Sequence, residues 1–474
     1  MSVTASRLGS SSLMFDWSNL AAFSPSKGPA GRHHEPALAE LEATWNEHKE
    51  SLFSGKYGFF NAPTDDALSQ ARAAQTLAQD LRATGKFTDC VFLGIGGSAL
   101  GPISLLAALA HRRDAKNSLR FHFFENPDPM DWTSRIRALD PAFTLVCVVT
   151  KSGTTFETMA LFLLALEWLG PNRWQENVVA ITDPENGDLR HFCKKENLRT
   201  LEIAPSVGGR FSVFTPVGLF PLALAGHSVE EFLAGARSVQ EYVKKTPPGK
   251  NPLFLLASHF IAHFATRPIH VCMPYSTPLR GIGNWWVQLW SESLGKNGKG
   301  FSPIAAVGPV DQHSLLQLLR DGPDDKITLF LTVDDFNAGV PPVKIPALLK
   351  QRYPMATHLN AFTILESHGL DDLMKAEYRA TSLVLTKNQR PNLTIQLDQL
   401  GEKSLGALYF ALAVKTAFTG FLWKVNPFDQ PGVEEGKVYI RDSLSRHREE
   451  AGERPLREWE DNSPVARLRR ERPE

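Results

Sequence analysis

Hydrophobic and polar residues follow two textures along the chain. Over 36–53 and 65–84, apolar residues return every three or four positions; Leu68, Ala71, Leu77, Ala78 and Leu81 fall near one face, which predicts helices. From residue 90 the texture changes. Cys90–Leu93 is a short apolar run ending in glycine, followed by a helix predicted at about 98–112. Leu119–Phe124, Phe143–Val149, Val178–Ile181 and Leu198–Ile203 predict further strands with helical sequence between them. Strands alternating with helices imply βα units and a parallel sheet. The second half repeats the texture less clearly, with strands predicted at Ile269–Met273, Ile304–Val307, Ile327–Val333 and Leu393–Leu397 and a long helix over about 403–424.

There is no short repeat period, so two α/β domains of similar design fit the pattern best. Residues 1–35 are rich in Ser, Gly and Pro and are expected to lie along the surface. The tail Arg441–Glu474 carries 18 charged residues in 34, nine of each sign, and is expected to be a solvated helical arm or a fraying end.

Composition narrows the classes. The chain has 474 residues, 43% hydrophobic and 22% charged, which is too apolar for a disordered protein and long enough for a large core. Lys plus Arg and Asp plus Glu both number 51, so bulk charge gives no reason to bind nucleic acid or an anionic membrane. Any bound anion needs a local site. Four separated cysteines, Cys90, Cys147, Cys193 and Cys272, exclude a disulfide scaffold or a thiolate zinc cage. The uncharged runs Cys90–His111 and Phe211–Val229 are broken by Gly and Pro and are expected to be buried, not to span a membrane. No secretory signal is read over residues 1–30, and a cytoplasmic location is expected.

Two segments carry the chemistry of an anion site. Gly94-Ile95-Gly96-Gly97-Ser98-Ala99-Leu100-Gly101 lies between a strand and a helix, where glycines admit a ligand close to the backbone and the helix start offers free N–H groups. Gly94, Gly96 and Ala99 also fit a dinucleotide fingerprint with Glu125 as its acid, and a purely structural turn is the bland alternative. Thr150-Lys151-Ser152-Gly153-Thr154-Thr155 gathers four hydroxyls and an ammonium at another helix start; simple N-capping is its alternative. Both loops follow strands, so they point to one crevice.

Other candidates are scattered. Glu292 sits late in a Trp-rich helix with Gln288 one turn earlier, either at a surface position or as a buried general base. Arg210 follows Gly208 and Gly209 as a paired core charge or an anion ligand. His313 opens a helix in Asp311-Gln312-His313-Ser314, and Lys437 follows the turn Asp429–Gly436; alone, the first reads as a capping or surface group and the second as a solvated side chain. His259 and His263 share a helix face, but the segment lacks the glutamate of a zinc protease, so no metal site is expected.

Six segments in order, GIGGSALGP at 94–102, TKSGTTFET at 150–158, GGRFSVFTPVGL at 208–219, QLWSESLGK at 288–296, DQHS at 311–314 and NPFDQPGVEEGK at 426–437, resemble the glucose-6-phosphate isomerase (phosphoglucose isomerase) family in its shorter bacterial form. The resemblance covers about residues 85–440. It implies two sugar-isomerase (SIS) domains, each a parallel sheet flanked by helices, with a C-terminal arm. The implied boundaries are an N-terminal segment 1–54 packing on the large domain, a small domain 55–225, a large domain 226–445 and a charged tail 446–474.

The resemblance also implies the reaction, interconversion of glucose 6-phosphate and fructose 6-phosphate in glycolysis and gluconeogenesis. In the family pattern Glu292 matches the base between C2 and C1, and Arg210 balances the enediolate. His313 with Lys437 opens the ring, and Gln288 orients the base or the substrate. Thr150, Lys151, Ser152 and Thr155 chiefly bind the phosphate and the neighbourhood of Ser98 binds it weakly; Gly97 and Gly209 belong to the substrate and phosphate site, and Glu157 meets sugar hydroxyls. No metal or organic cofactor is required. The family is usually a homodimer whose histidine, here His313, serves the neighbouring subunit. Leu294 stands where the common pattern has Asn, and Pro431 where it has Trp. A non-catalytic sugar-phosphate sensor and a nicotinamide-dependent oxidoreductase are the competing classes.

Overall fold

The computed structural model describes residues 5–23, 38–64, 68–112, 119–353 and 360–449. These fall into one unit ending at Pro427 and a second beginning at Phe428. Eleven strands occur among the described residues: β1 Ala5–Arg7, β2 Leu13–Asp16, β3 Asp89–Leu93, β4 Arg120–Phe124, β5 Thr144–Thr150, β6 Val178–Thr182, β7 Arg199–Glu202, β8 Ile269–Pro274, β9 Ser302–Ala305, β10 Lys326–Asp335 and β11 Asn392–Gln399. One sheet has the order β4-β3-β5-β6-β7, all parallel. The other runs β1-β2-β11-β10-β8-β9, and its last four are parallel.

Both parallel cores follow one winding rule: the second strand flanks the first on one side and the later strands continue on the other. The crevice of such a sheet lies outside the carboxyl ends of the strands where the winding reverses. In the first sheet that is between β3 and β5, the strands that precede the two glycine- and hydroxyl-rich loops.

The central strands of the first sheet form because their residues are largely apolar on both faces. All of β3, β5 and β6 are buried. Val146 and Val148 pack with Leu161, Phe162, Ala165 and Leu169 of the helix Phe156–Leu169. The four cysteines are free and buried. The helix Glu402–Leu422 is long and apolar enough to cross a membrane by composition, yet its apolar window is wholly buried in protein. It crosses the helix Val229–Lys245 where glycines meet backbone, since a methyl group at Gly406 would stand 1.8 Å from the Phe232 carbonyl oxygen. Lys415, near its middle, is buried with Nζ 4.1 Å and 3.9 Å from the ring centres of Phe260 and Trp290, and burial pushes its amine well below the usual lysine range.

The N-terminal segment departs from the surface stretch expected of residues 1–35. β1 and β2 form an antiparallel hairpin, and β2 pairs with β11, Phe15 opposite Ile395. Leu8, Leu13, Phe15, Trp17 and Leu20 are buried. The strand signal is only four residues long and is masked by the serines and glycine beside it. Residues 1–4 and 24–35 of that expectation lie outside the described residues. His263 is buried, and its Nδ1 accepts from Arg267 Nη1 at 3.0 Å.

At the amino end of β3, away from the loops, Asp89 accepts from Arg120 Nε at 2.8 Å and Nη2 at 2.7 Å, with His122 Nε2 at 2.8 Å. Burial opposes its charge, but the hydrogen bonds from Arg120, His122 and Thr88 outweigh that and hold the carboxyl at about 2. A depressed acid stabilises the fold fully above its ordinary pKa, and that stability is lost as pH falls through the folded value. Asp89→Asn is therefore expected to cost about 2 kcal/mol near neutrality, a deficit that shrinks toward pH 2. Urea midpoints at pH 7 and pH 3 check this; equal midpoints at pH 7 would refute it.

Candidate active site

The loop after β3 turns at Gly96, whose φ of +55° suits glycine, and continues as a 3-10 turn over Gly96–Ser98 into the helix Leu100–Ala108. It packs against a second 3-10 segment, Gly209–Phe214, whose second residue is the buried Arg210. Contact is close: a methyl group at Gly97 would stand 2.2 Å from the Gly209 carbonyl carbon and 2.6 Å from the Arg210 nitrogen. Ser212 Oγ donates to the Gly97 carbonyl at 3.3 Å. Gly97→Ala is expected to push the Arg210 turn away and lower kcat at least about 10-fold, because small displacements of a positioned group are costly. Gly209→Ala meets nothing nearer than 3.9 Å and should cost less. Steady-state rates of both variants test the contrast, and equal rates would contradict it.

Glu292 stands near the end of the helix Arg280–Leu294. Arg210 Nη1 donates to Glu292 Oε1 at 2.8 Å, the arginine side chain being 1% exposed and the glutamate 20%. Gln288, one turn earlier, donates from Nε2 to Glu292 Oε2 at 2.9 Å, while its buried Oε1 has no partner among the described residues. Arg210 is oriented further by Nε donating to Ser293 Oγ at 2.8 Å and Nη2 donating to the Pro427 carbonyl at 2.6 Å. Gly96 completes the enclosure, since a methyl group there would stand 3.0 Å from Gln288 Nε2. A carboxylate held by a guanidinium and an amide, partly open to solvent, can take a proton from carbon and hold negative charge on a neighbouring oxygen.

The loop after β5 gathers hydroxyls. Thr150 is buried and its Oγ1 lies 2.9 Å from Thr155 Oγ1, which is 3.4 Å from Ser152 Oγ. Thr155 is the N-cap of the helix Phe156–Leu169 but makes no side-chain cap bond, so simple capping does not account for it. Lys151 Nζ donates to the Pro205 carbonyl at 2.7 Å, which leaves further N–H donors on the ammonium, and burial lowers its pKa from the ordinary lysine range. Ser98 and Glu157 are partly exposed at their helix starts.

The structure thus joins Gly97, Gly209, Arg210, Gln288 and Glu292 and places the hydroxyl loop on the strand beside them. It does not join His313 to them within one chain. His313 is exposed on the helix Gln312–Asp321, and its side chain has no hydrogen bond or ion pair among the described residues. Lys437 belongs to the second unit, on the helix Pro431–Glu449, where it donates to Glu434 Oε1 at 2.8 Å. Of the charged tail, residues 450–474 lie outside the described residues. Ser293 and the Pro427 carbonyl were missed by sequence reasoning; only the adjacency of Ser293 to Glu292 signalled the first. Leu294, where Asn is common, is fully buried.

A family model described as phosphoglucose isomerase matches residues 74–454. The glucose-6-phosphate isomerase of Rubrobacter xylanophilus is 40% identical over 432 residues, 89% of this chain and 96% of that one. Among solved structures, one from Thermus thermophilus has a TM-score of 0.78 at 34% identity and covers 91% of this chain and 99% of its own. A glucose-6-phosphate isomerase from Chlamydia trachomatis, at 23% identity, shares the fold with a TM-score of 0.76 and covers 98% of this chain and 93% of its own. With parallel α/β sheets, two donor-rich loops on neighbouring strands and a paired carboxylate and guanidinium already in place, these matches settle the kinship: the chain belongs to the phosphoglucose isomerase family.

Proposed function

We propose that this isomerase interconverts glucose 6-phosphate and fructose 6-phosphate by opening the ring and moving one proton between C2 and C1 through a cis-enediolate. The observation that carries the reading is the Arg210–Glu292 contact at 2.8 Å beside Gln288. Glu292 takes the proton from C2 and returns it to C1. Arg210, whose charge persists at any working pH, faces the developing enediolate oxygen. Gln288 Oε1, without a partner among the described residues, accepts from a sugar hydroxyl. The phosphate binds the hydroxyls of Thr150, Ser152 and Thr155 and the turn at Gly97 and Ser98, and its binding energy fixes the reacting carbons. Lys151 shapes this loop through Pro205, and Glu157 meets sugar hydroxyls.

His313 opens the ring with help from Lys437. An exposed imidazole with no partner among the described residues fits a homodimer in which each His313 serves the neighbouring site. The small domain spans 55–225 and the large one 226–445, with 1–54 packed on the latter and 446–474 as an arm. The enzyme serves glycolysis and gluconeogenesis in the cytoplasm and needs no metal or organic cofactor; nucleic acid and membrane are not its partners. A coupled assay from fructose 6-phosphate to glucose 6-phosphate tests the reading, and no turnover by purified protein would favour the sensor. His313→Ala is expected to slow cyclic substrate about 100-fold while sparing the open-chain form. Equal losses on both would remove His313 from ring opening.

A further inference from the structure

The residues after the Glu292 helix form a minimal hairpin, Lys296-Asn297-Gly298-Lys299. Asn297 and Gly298 have φ of +54° and +70°, the pair of positive values that a two-residue type I′ turn requires. Lys296 and Lys299 exchange backbone hydrogen bonds at 3.0 Å and 2.9 Å, so they stand opposite one another with their side chains on one face.

Both ammonium groups meet the chain leaving the long buried helix. Lys299 Nζ donates to the Trp423 carbonyl at 2.7 Å. Lys296 Nζ donates to the Asn426 carbonyl at 2.5 Å and to the Ser293 carbonyl at 3.1 Å. The next carbonyl, that of Pro427, accepts from Arg210 Nη2 at 2.6 Å. Three carbonyls within 423–427 therefore each receive a cation.

The electrostatics explain the arrangement. The helix Arg280–Leu294 ends beside this segment, and the helix Glu402–Leu422 ends at its C-cap, Trp423. Two helix carboxyl ends brought together place partial negative charges side by side, and cations near the last carbonyls offset them. Lys296 bridges the last turn of the first helix to Asn426, and Lys299 sits on the C-cap of the second.

We propose that residues 423–427 are a positioning strap for Arg210, and that Lys296 and Lys299 are the positioning residues that hold it. They act on catalysis at one remove, by fixing the carbonyl that fixes the guanidinium. The role given to Arg210 rests on the isomerase reading.

The test is a cycle: Lys296→Met and Lys299→Met, singly and together, in the wild-type and Arg210→Lys backgrounds. The double variant is expected to lose about 10-fold in kcat, with KM for fructose 6-phosphate changed less than about 3-fold. In the Arg210→Lys background most of that loss should vanish, because groups acting through one another are non-additive. Lys296→Arg with Lys299→Arg should restore most of the rate. Equal losses in both backgrounds, or an unchanged kcat, would overturn the strap. If the double variant does not fold, Lys299→Met alone runs the same cycle. Amide exchange of full-length protein reads the strap without turnover: Val425 N–H, bonded to the Gly420 carbonyl at 3.0 Å, should exchange at least about 10-fold faster in the double variant. Unchanged protection would count against the proposal. A wild-type protein with no turnover would sink the isomerase reading and leave amide exchange to decide the strap.

Discussion

Glu292→Gln is expected to keep phosphosugar binding and to lose about three orders of magnitude in kcat, the scale of a positioned general base. The substitution keeps volume and shape but removes the carboxylate proposed to take the proton. It also disturbs the pair around it. Glu292 accepts from both Arg210 and Gln288, whereas a glutamine amide offers one accepting oxygen and turns its own N–H groups toward one of those donors. The check is a kcat measurement by the coupled assay beside calorimetric binding of a phosphorylated sugar acid. Ordinary turnover would take Glu292 out of the base role. Loss of binding together with turnover would make it structural instead.

Arg210→Met is expected to lower kcat by about 100- to 1000-fold, the range seen when a donor to a developing oxyanion is removed. On the proposed role, in which the guanidinium faces charge that exists only during proton transfer, the fall should appear mainly in kcat. Stability should fall as well. Arg210 is buried, and without it Glu292 loses a charged partner while Ser293 Oγ and the Pro427 carbonyl each lose a hydrogen bond. Methionine fills the volume without the charge, so rates and melting temperatures measured together separate the two effects. A variant with reduced stability but undiminished kcat would refute the role in charge balance.

The legibility of this protein in its sequence follows physical scale. Strands buried on both faces announce themselves, so β3, β5, β6, β8, β10 and β11 fall within a few residues of the apolar runs. The β1–β2 hairpin does not, because Leu13 and Phe15 alternate with less buried neighbours over too short a span. In the site, Glu292, Gln288 and Arg210 were legible as chemistry-bearing side chains in motifs. Lys151 was legible as a cation, but not that its amine would turn to the Pro205 carbonyl. The Pro427 carbonyl was invisible, since every residue carries one and only the fold decides which is used. The packing of Gly97 on Gly209 is likewise a property of two distant turns that meet.

The helix Glu402–Leu422 has a further consequence at synthesis. As it leaves the ribosome, before it has docked on the elements made ahead of it, it presents a stretch long and greasy enough to partition into a bilayer. An amine at the centre of such a stretch adds about 3 kcal/mol to the cost of lateral insertion. Lys415, an awkward guest between Phe260 and Trp290, thereby makes lipid a poorer destination for this segment than a wholly aliphatic helix would find it.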